Sequence, residues 1–277
     1  MKKILVPTDY SELADYAFNL ASLVSENDST EIHSLKVVEA PGETLFDKEG
    51  NLLDCTEYDV KPLKEEAKKA EEQMEAWLGN KPGNPHGIVQ IGHLTDNILK
   101  YVEKHDIDLV VMGTHGATGF KELISGSHTE RIVRNAEAPV LTLKCDRSQM
   151  KVRNILLPSN FTEHKKQNLQ MVKKLQQNTG AAIHLLKVNT ERDFCTNHEA
   201  MEEMKQFARD HELNNVTYNI YCDKSVEDGI VHYAQENAID IVAIGTHGRK
   251  GISHWLRGSI TEDIVNHVYM PILTYKI

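Results

Sequence analysis

The sequence has few of the features that mark a secreted or membrane-spanning protein. Its four cysteines are spread over 277 residues with no Cys-x-x-Cys pair, which favours free thiols in a reducing compartment. It contains no apolar run of about 18 residues, so no transmembrane helix is predicted. The apolar stretch after Lys2 and Lys3 is too short for a signal peptide. We therefore expect a cytoplasmic protein with no membrane partner.

Basic and aromatic residues are also scarce. There are 31 Lys and Arg against 41 Asp and Glu, giving a formal net charge of -10, and aromatic residues make up 6%. A nucleic-acid binder normally has a basic face, so nucleic acid is not an expected partner. An acidic chain can still bind an anion locally, through backbone N–H groups and helix N-termini.

What the sequence does contain is an internal repeat. Three segments of the first half return in the second half: residues 3–9 as 154–160, 32–37 as 183–188, and 106–116 as 238–248. This pattern predicts two tandem domains, copy one at residues 1–146 and copy two at 151–277. Copy one is longer by about 19 residues. We place the insertion at residues 39–60 and interpret it as a loop over one edge of a sheet.

Each copy alternates short apolar runs with amphipathic helical periodicity. In copy one, the pattern predicts strands at residues 4–6, 32–38, 88–91, 107–112 and 139–144. It predicts helices at residues 11–25, 63–77, 96–104 and 127–135. Ser11 is a candidate N-cap. Apolar strands that alternate with helices predict an open, doubly wound parallel sheet. Ligands of such sheets bind beyond the carboxyl ends of the strands, at the point where the strand order reverses.

The last strand of each copy, at residues 139–143 and 271–275, reads as an apolar edge strand. Because an exposed apolar edge favours aggregation, we expect these two strands to pair. Such pairing makes an intramolecular pseudo-dimer, and two chains could associate further as a homodimer.

Both copies carry the pattern G-x-x-G-x9-G-S after an apolar strand. It runs from Gly113 to Ser127 in copy one and from Gly245 to Ser259 in copy two. Glycines permit positive φ and close backbone approach, and a helix that begins at Gly-Ser points its free N–H groups at an anion. The pattern predicts a phosphate-binding loop in each copy.

Together with the Pro-Thr-Asp after the first strand and the valine near the end of the second, this loop resembles the universal stress protein family, in its tandem two-domain form. The resemblance covers nearly the whole chain. It implies two five-stranded, Rossmann-like domains of the adenine nucleotide alpha hydrolase type. It also implies a stress-response sensor or regulator that binds ATP, ADP or AMP, with or without Mg²⁺.

The resemblance also implies site residues. In copy one, the nucleoside lies beside Pro7, Thr8 and Asp9, adenine lies near the backbone and methyls of Val37, and the phosphates are held by Gly113, His115, Gly116, Gly126, Ser127 and the adjacent His128. In copy two the matching positions are Ser159, Asn160, Val188, Gly245, His247, Gly248, Gly258, Ser259 and Ile260. Asn160 lacks the charge of Asp9, whereas Arg249, Lys250 and Arg257 add cations that copy one matches only with Lys121. We predict two competent sites of unequal affinity.

Other functions are less favoured. His115 or His247 could act as a general base in a slow ATPase, but there is no Walker A motif. We therefore expect at most weak hydrolysis and assign no catalytic residue. Cys195 and His198 are only two potential ligands, whereas a structural zinc normally has four. Hydride transfer is disfavoured because the glycines follow the fourth strand rather than the first. A scaffold without a nucleotide remains the alternative.

Overall fold

The computed structural model describes residues 1–25, 29–40, 61–114, 128–147, 149–161, 168–246 and 270–277. The strands of copy one are β1 (Lys3–Pro7), β2 (Glu31–Glu39), β3 (His86–Gly92), β4 (Leu109–Gly113) and β5 (Val140–Leu143), and its helices are α1 (Glu12–Val24), α2 (Lys61–Leu78), α3 (Leu94–Lys104) and α4 (His128–Asn135). Copy two contributes β6 (Asn154–Pro158), α5 (Gln170–Thr179), β7 (Ala182–Asn189), α6 (Asn197–Asp210), β8 (Val216–Cys222), α7 (Val226–Glu236), β9 (Ile241–Thr246) and β10 (Ile272–Lys276).

The ten strands form one continuous sheet in the order β3-β2-β1-β4-β5-β10-β9-β6-β7-β8. Each half is parallel, as the apolar strands predict, and the two halves have the same strand order. The halves meet where β5 and β10 pair antiparallel, with Leu141 opposite Leu273. This is the pairing expected of the two apolar edge strands, and it confirms the tandem doubly wound fold.

The largest apolar cluster continues across this junction. It contains Val6 and Phe18 of copy one together with Leu157, Phe207 and Leu273 of copy two, all of them buried. Asn178 also donates a hydrogen bond to the Val24 carbonyl of α1, at 3.0 Å. The two copies therefore share a core on one face of the sheet. On the other face, each copy has its own cluster.

Local signals explain several element ends. The Ser11 side chain accepts a hydrogen bond from the Ala14 N–H, which confirms it as the N-cap of α1. Gly180 ends α5 in the left-handed conformation, with φ 72°.

Element bounds differ from the sequence prediction by one or two residues. α3 begins at Leu94 rather than residue 96, and β4 begins at Leu109 rather than 107. The later start of β4 has a physical cause, because the Asp108 carboxylate accepts the backbone N–H groups of Lys2 and Lys3 at 2.6 and 3.2 Å. Of the predicted insertion, residues 41–60 lie outside the described ranges.

Candidate functional site

The strand order reverses at β1, which pairs with β2 on one side and β4 on the other. The chain leaves β1 through Thr8 and Asp9 and leaves β4 through Gly113 and Thr114, so these residues border one crevice, called crevice one. In copy two, β6 lies between β7 and β9. Crevice two is accordingly bordered by Ser159, Asn160 and the end of β9 at Gly245 and Thr246. Parallel α/β sheets bind ligands at such reversal points.

The turn after the first strand has the same unusual backbone in both copies. Tyr10 and Phe161 adopt positive φ values of 67° and 60°, which are uncommon for bulky residues. In each copy, the backbone N–H of this residue donates to a hydroxyl two positions earlier. Tyr10 donates to the Thr8 hydroxyl at 3.0 Å, and Phe161 donates to the Ser159 hydroxyl at 3.2 Å. Backbone strain of this kind is typical of functional sites, where surrounding structure maintains it.

Asp9 is held as a carboxylate in crevice one. Burial alone would raise its pKa, but hydrogen bonds that include one from the Ser11 N–H, together with the charge of Lys36, outweigh burial and bring the pKa below its ordinary value. Lys36 also lies 5.4 Å from the centre of the Tyr10 ring. The crevice therefore contains an anion and a nearby cation.

β2 extends beyond β1 at this edge. The paired register ends with Pro7 opposite Leu35, where the Thr8 N–H donates to the Leu35 carbonyl at 2.9 Å. The backbone of Val37 therefore lies past the end of β1, beside the crevice. Its side chain is buried in the apolar cluster under α3. Val188 has the same placement in copy two, where the Ser159 N–H donates to the Leu186 carbonyl at 3.1 Å.

His128, the first residue of α4, lies on the far side of crevice one. Its Nδ1 is 2.9 Å from the Thr95 hydroxyl, which belongs to the first turn of α3. Its Nε2 is 3.9 Å from the Glu39 carboxylate at the end of β2. His128 therefore joins three elements at the carboxyl edge of the sheet.

Gly113 is needed for packing. The described glycines with positive φ are Gly83, Gly92 and Gly180, so Gly113 and Gly245 do not supply the left-handed geometry that the motif suggests. Instead, a Cβ on Gly113 would lie 2.9 Å from the Leu13 Cβ and 3.0 Å from the Leu13 carbonyl oxygen. The glycine lets α1 approach the end of β4.

Copy two differs from copy one in its lysine. Lys187 matches Lys36 but is almost fully buried and pairs with Asp193 at 3.2 Å. Asp193 lies in the loop after β7. The Asn189 side chain closes this loop, because it accepts the Cys195 N–H at 3.3 Å and donates to the Cys195 carbonyl at 2.9 Å. The Lys187 ammonium of copy two therefore pairs with the loop after β7.

We expect Asp193→Asn to lower the free energy of unfolding by about 1–2 kcal/mol, because it leaves the buried Lys187 ammonium without its counter-charge. The loss stays below that of a fully buried pair because the Asp193 side chain is 63% exposed. Urea denaturation measures it. Lys187→Met in the Asp193→Asn background should recover much of the lost stability. An unchanged urea midpoint in Asp193→Asn alone would contradict a stabilising pair between Lys187 and Asp193.

Most of the glycine motif lies outside the described residues. This holds for His115, Gly116, Gly126 and Ser127, for His247, Gly248, Gly258, Ser259 and Ile260, and for the loop cations Lys121, Arg249, Lys250 and Arg257. The described predicted residues (Pro7, Thr8, Asp9, Val37, Gly113 and His128, with Ser159, Asn160, Val188 and Gly245 in copy two) lie at the carboxyl edge of the sheet. Their roles toward a ligand stay predictions.

Sequence reasoning missed three lysines at this edge. Lys36 recurs as Lys187 at the same position of the repeat, and that recurrence could have identified both. Lys144 directly follows Leu143, which pairs with Gly113. Burial lowers the pKa of Lys144 to about 8, against an opposing effect of Cys145. No sequence pattern reveals that burial.

Two further observations bear on other functions. Within the described ranges, no group of three or more His, Cys, Asp or Glu side chains is placed to hold a metal ion. The Cys195 thiol instead donates to the Asn189 side-chain oxygen at 3.2 Å. None of the described helices is long and apolar enough to cross a membrane.

The fold and its two crevices define a tandem, Rossmann-like α/β protein. Residues 1–144 and 151–276 each match the Universal stress protein family. A universal stress protein of Methanocaldococcus jannaschii is 32% identical over 143 residues, covering 52% of this chain and 82% of the relative. Another, from Synechocystis sp., is 25% identical over 295 residues and covers 100% of both chains. The chain belongs to the universal stress protein family.

A solved structure agrees at the level of the fold. A universal stress protein from Archaeoglobus fulgidus superposes with a TM-score of 0.72 at 20% identity, covering 99% of this chain and 96% of that one. The tandem arrangement of the whole chain is therefore shared with a known relative.

Proposed function

We propose that this universal stress protein binds adenine nucleotides, ATP foremost, in crevices one and two, and acts as a cytoplasmic sensor or regulator in the stress response. The observation that supports this most is the duplicated crevice. Both copies hold a strained turn with a hydroxyl and an Asp or Asn next to the glycine that opens the G-x-x-G-x9-G-S motif. The same turn recurs in both copies at the strand-order reversal, where parallel α/β sheets bind ligands.

The two ends of the crevice suit the two ends of a nucleotide. Asp9 and the backbone of Val37 offer hydrogen-bond acceptors for a base or ribose, while the glycine motif offers N–H groups for phosphates. Hydrolysis is not required for this role. A sensor needs only a conformational state that the bound nucleotide favours.

Crevice one is the stronger site in this proposal. Its Asp9 is charged and Lys36 lies close to it, whereas crevice two has neutral Asn160 and a lysine paired with Asp193. Hydrogen bonds to charged groups contribute more than those to neutral groups. The two sites should therefore differ measurably in affinity.

The chain supplies its own matched test of this difference. We expect Asp9→Asn to weaken ATP binding at copy one by about tenfold, which is the loss of one charge-assisted hydrogen bond. Asn160→Asp should strengthen copy two. Isothermal calorimetry with Mg²⁺ at neutral pH measures both stoichiometry and affinity.

Gly116→Val serves as the control that removes the copy-one glycine motif, and it should reduce the stoichiometry to one nucleotide per chain. Two equal and independent sites in the wild-type protein would contradict the inequality. No heat and no thermal shift with ATP would overturn the function itself and favour a scaffold built on the continuous sheet.

A further inference from the structure

A cluster of titratable rings lies at the amino edge of copy one, at the opposite end of the sheet from crevice one. Its centre is His33 of β2, which is 8% exposed. The Nδ1 of His33 is 2.7 Å from the Tyr101 hydroxyl, and its Nε2 is 3.3 Å from the Glu31 carboxylate. Both ring nitrogens of a buried histidine are therefore engaged.

Groups from four elements face His33. The His86 ring of β3 is 5.3 Å away and the His105 ring, at the end of α3, is 6.3 Å away, between ring centres. His105 stacks on Tyr101 at 4.1 Å. Lys3 of β1 donates to the His105 carbonyl at 3.1 Å. Two further histidines and a lysine thus lie near His33, whose carboxylate partner is Glu31.

Protonation of His33 is unfavourable in the native state. Burial lowers the pKa of His33 below its ordinary 6.5, and the charges of His86 and Lys3 add to that effect, while Glu31 opposes it. The unfolded or undocked chain binds the proton at higher pH. The stabilising contribution of neutral His33 is therefore complete above about pH 6.5 and is lost as the pH falls toward the lowered native pKa.

Copy two has the centre of this cluster without the two neighbouring histidine rings. His184 matches His33 and bonds the Tyr233 hydroxyl at 3.2 Å. Opposite it, however, β8 has Thr217 where β3 has His86. The residue that caps the C-terminus of α7 is Asn237, whereas the matching residue after α3 is His105. The second nitrogen of His184 contacts the neutral Asn154 at 3.1 Å. Burial lowers the pKa of His184 as well, so the feature specific to copy one is the charge of His86 beside the buried ring.

One helix connects the cluster to crevice one. The last turn of α3 carries Tyr101 and ends at His105, while its first turn carries Thr95, which bonds His128 beside the crevice. Asp96 of the same turn lies 3.8 Å from Arg131 of α4. We expect a shift of α3 at its amino-edge end to be transmitted to His128 through Thr95.

We propose that the His33 cluster is a proton-sensitive latch that holds the end of α3 on the sheet and, through Thr95 and His128, sets the ligand affinity of crevice one. At neutral pH the latch is closed and α3 is docked. In acid, protonation of the buried His33 loosens α3, and the charge of the neighbouring His86 adds to this effect in copy one. The second step rests on the proposed nucleotide function; the first step does not.

The test exchanges the cluster for its copy-two counterpart. The double variant His86→Thr with His105→Asn introduces at these two positions the residues found at the matching positions of copy two, Thr217 and Asn237. Both positions are more solvent-accessible than His33, and the variant leaves His33 and Tyr101 in place. Hydrogen exchange of α3 amides in the full-length chain reports the latch. ATP calorimetry in a Gly248→Val background reports crevice one alone. Both are measured at about pH 7.5 and about pH 5.5, on either side of the ordinary histidine pKa.

In the wild-type protein, we expect acid to lower the protection of α3 amides, after correction for the slower intrinsic exchange in acid, and to weaken ATP binding about fivefold or more, the range of ordinary allosteric coupling. The double variant should lose the part of both effects that comes from the histidines around His33, while the part that comes from the burial of His33 remains. The titration of ATP itself is common to both proteins and cancels. If ATP binds but acid acts equally on both proteins, the latch is wrong and the nucleotide function stands. If ATP does not bind at neutral pH, the nucleotide function fails, and the α3 exchange still tests the latch.

Discussion

Replacing Leu273 with alanine is expected to lower the free energy of unfolding by about 2–5 kcal/mol, the cost of a cavity at a well-packed core position. Leu273 of β10 is fully buried, lies opposite Leu141 of β5 and pairs in register with Ala243 of β9. All three belong to the apolar cluster that spans both copies. The cavity therefore removes contacts from copy one as well as from copy two.

Urea denaturation gives the size of this loss, and hydrogen exchange of α1 amides shows whether it reaches copy one. Leu186→Ala is the matched control, because Leu186 is also fully buried but lies in a cluster made of copy-two residues. We expect Leu273→Ala to speed exchange in α1 and Leu186→Ala to leave it unchanged. The same α1 exchange in both variants would mean that the copies do not share a core.

Gly113→Ala is expected to cost about 1–3 kcal/mol, as overpacking does in a rigid environment. The added Cβ would meet the Leu13 carbonyl oxygen at 3.0 Å and its Cβ at 2.9 Å. Backbone cannot rotate away as a side-chain end can, so α1 must shift from β4. Because Thr8 and Asp9 lead into α1, the same shift should also weaken ATP binding at crevice one.

Gly245→Ala is the control at the matching position of copy two. There the nearest atoms to an added Cβ are the Cδ1 and Cγ1 of Ile277, at 3.0 and 3.2 Å. A flexible side chain can yield, so we expect a loss below about 1 kcal/mol. Thermal unfolding compares the two variants. Equal losses would show that the approach of α1 does not explain the glycine in copy one.

The two crevices differ in their charged groups. Crevice one combines a charged Asp9, a nearby Lys36 and a helix that reaches the His33 cluster. Crevice two combines a neutral Asn160 with a buried lysine that is committed to Asp193. A duplicated domain can diverge in this way because the shared core keeps both halves folded while the loops change.

Much of the architecture was predictable because it depends on local patterns. The repeat shows directly in matched segments, and the apolar runs of β1, β4 and β9 predict buried parallel strands. The position of the crevices follows from the rule for strand-order reversal. Lys36 was missed because a lysine in a strand usually points to solvent, and its approach to Asp9 depends on the turn after β1.

By itself, the sequence determined the duplication, the doubly wound fold, the membership of a tandem α/β family and the composition of the glycine motif. These follow from spacing and periodicity along one segment at a time. Only the tertiary structure decided that the halves share a core on one face of the sheet, that Tyr10 and Phe161 hold a strained turn, and that His33 meets Tyr101, His86 and His105. Those contacts join residues far apart in the chain, and their energies depend on strand order and burial, which no local pattern encodes.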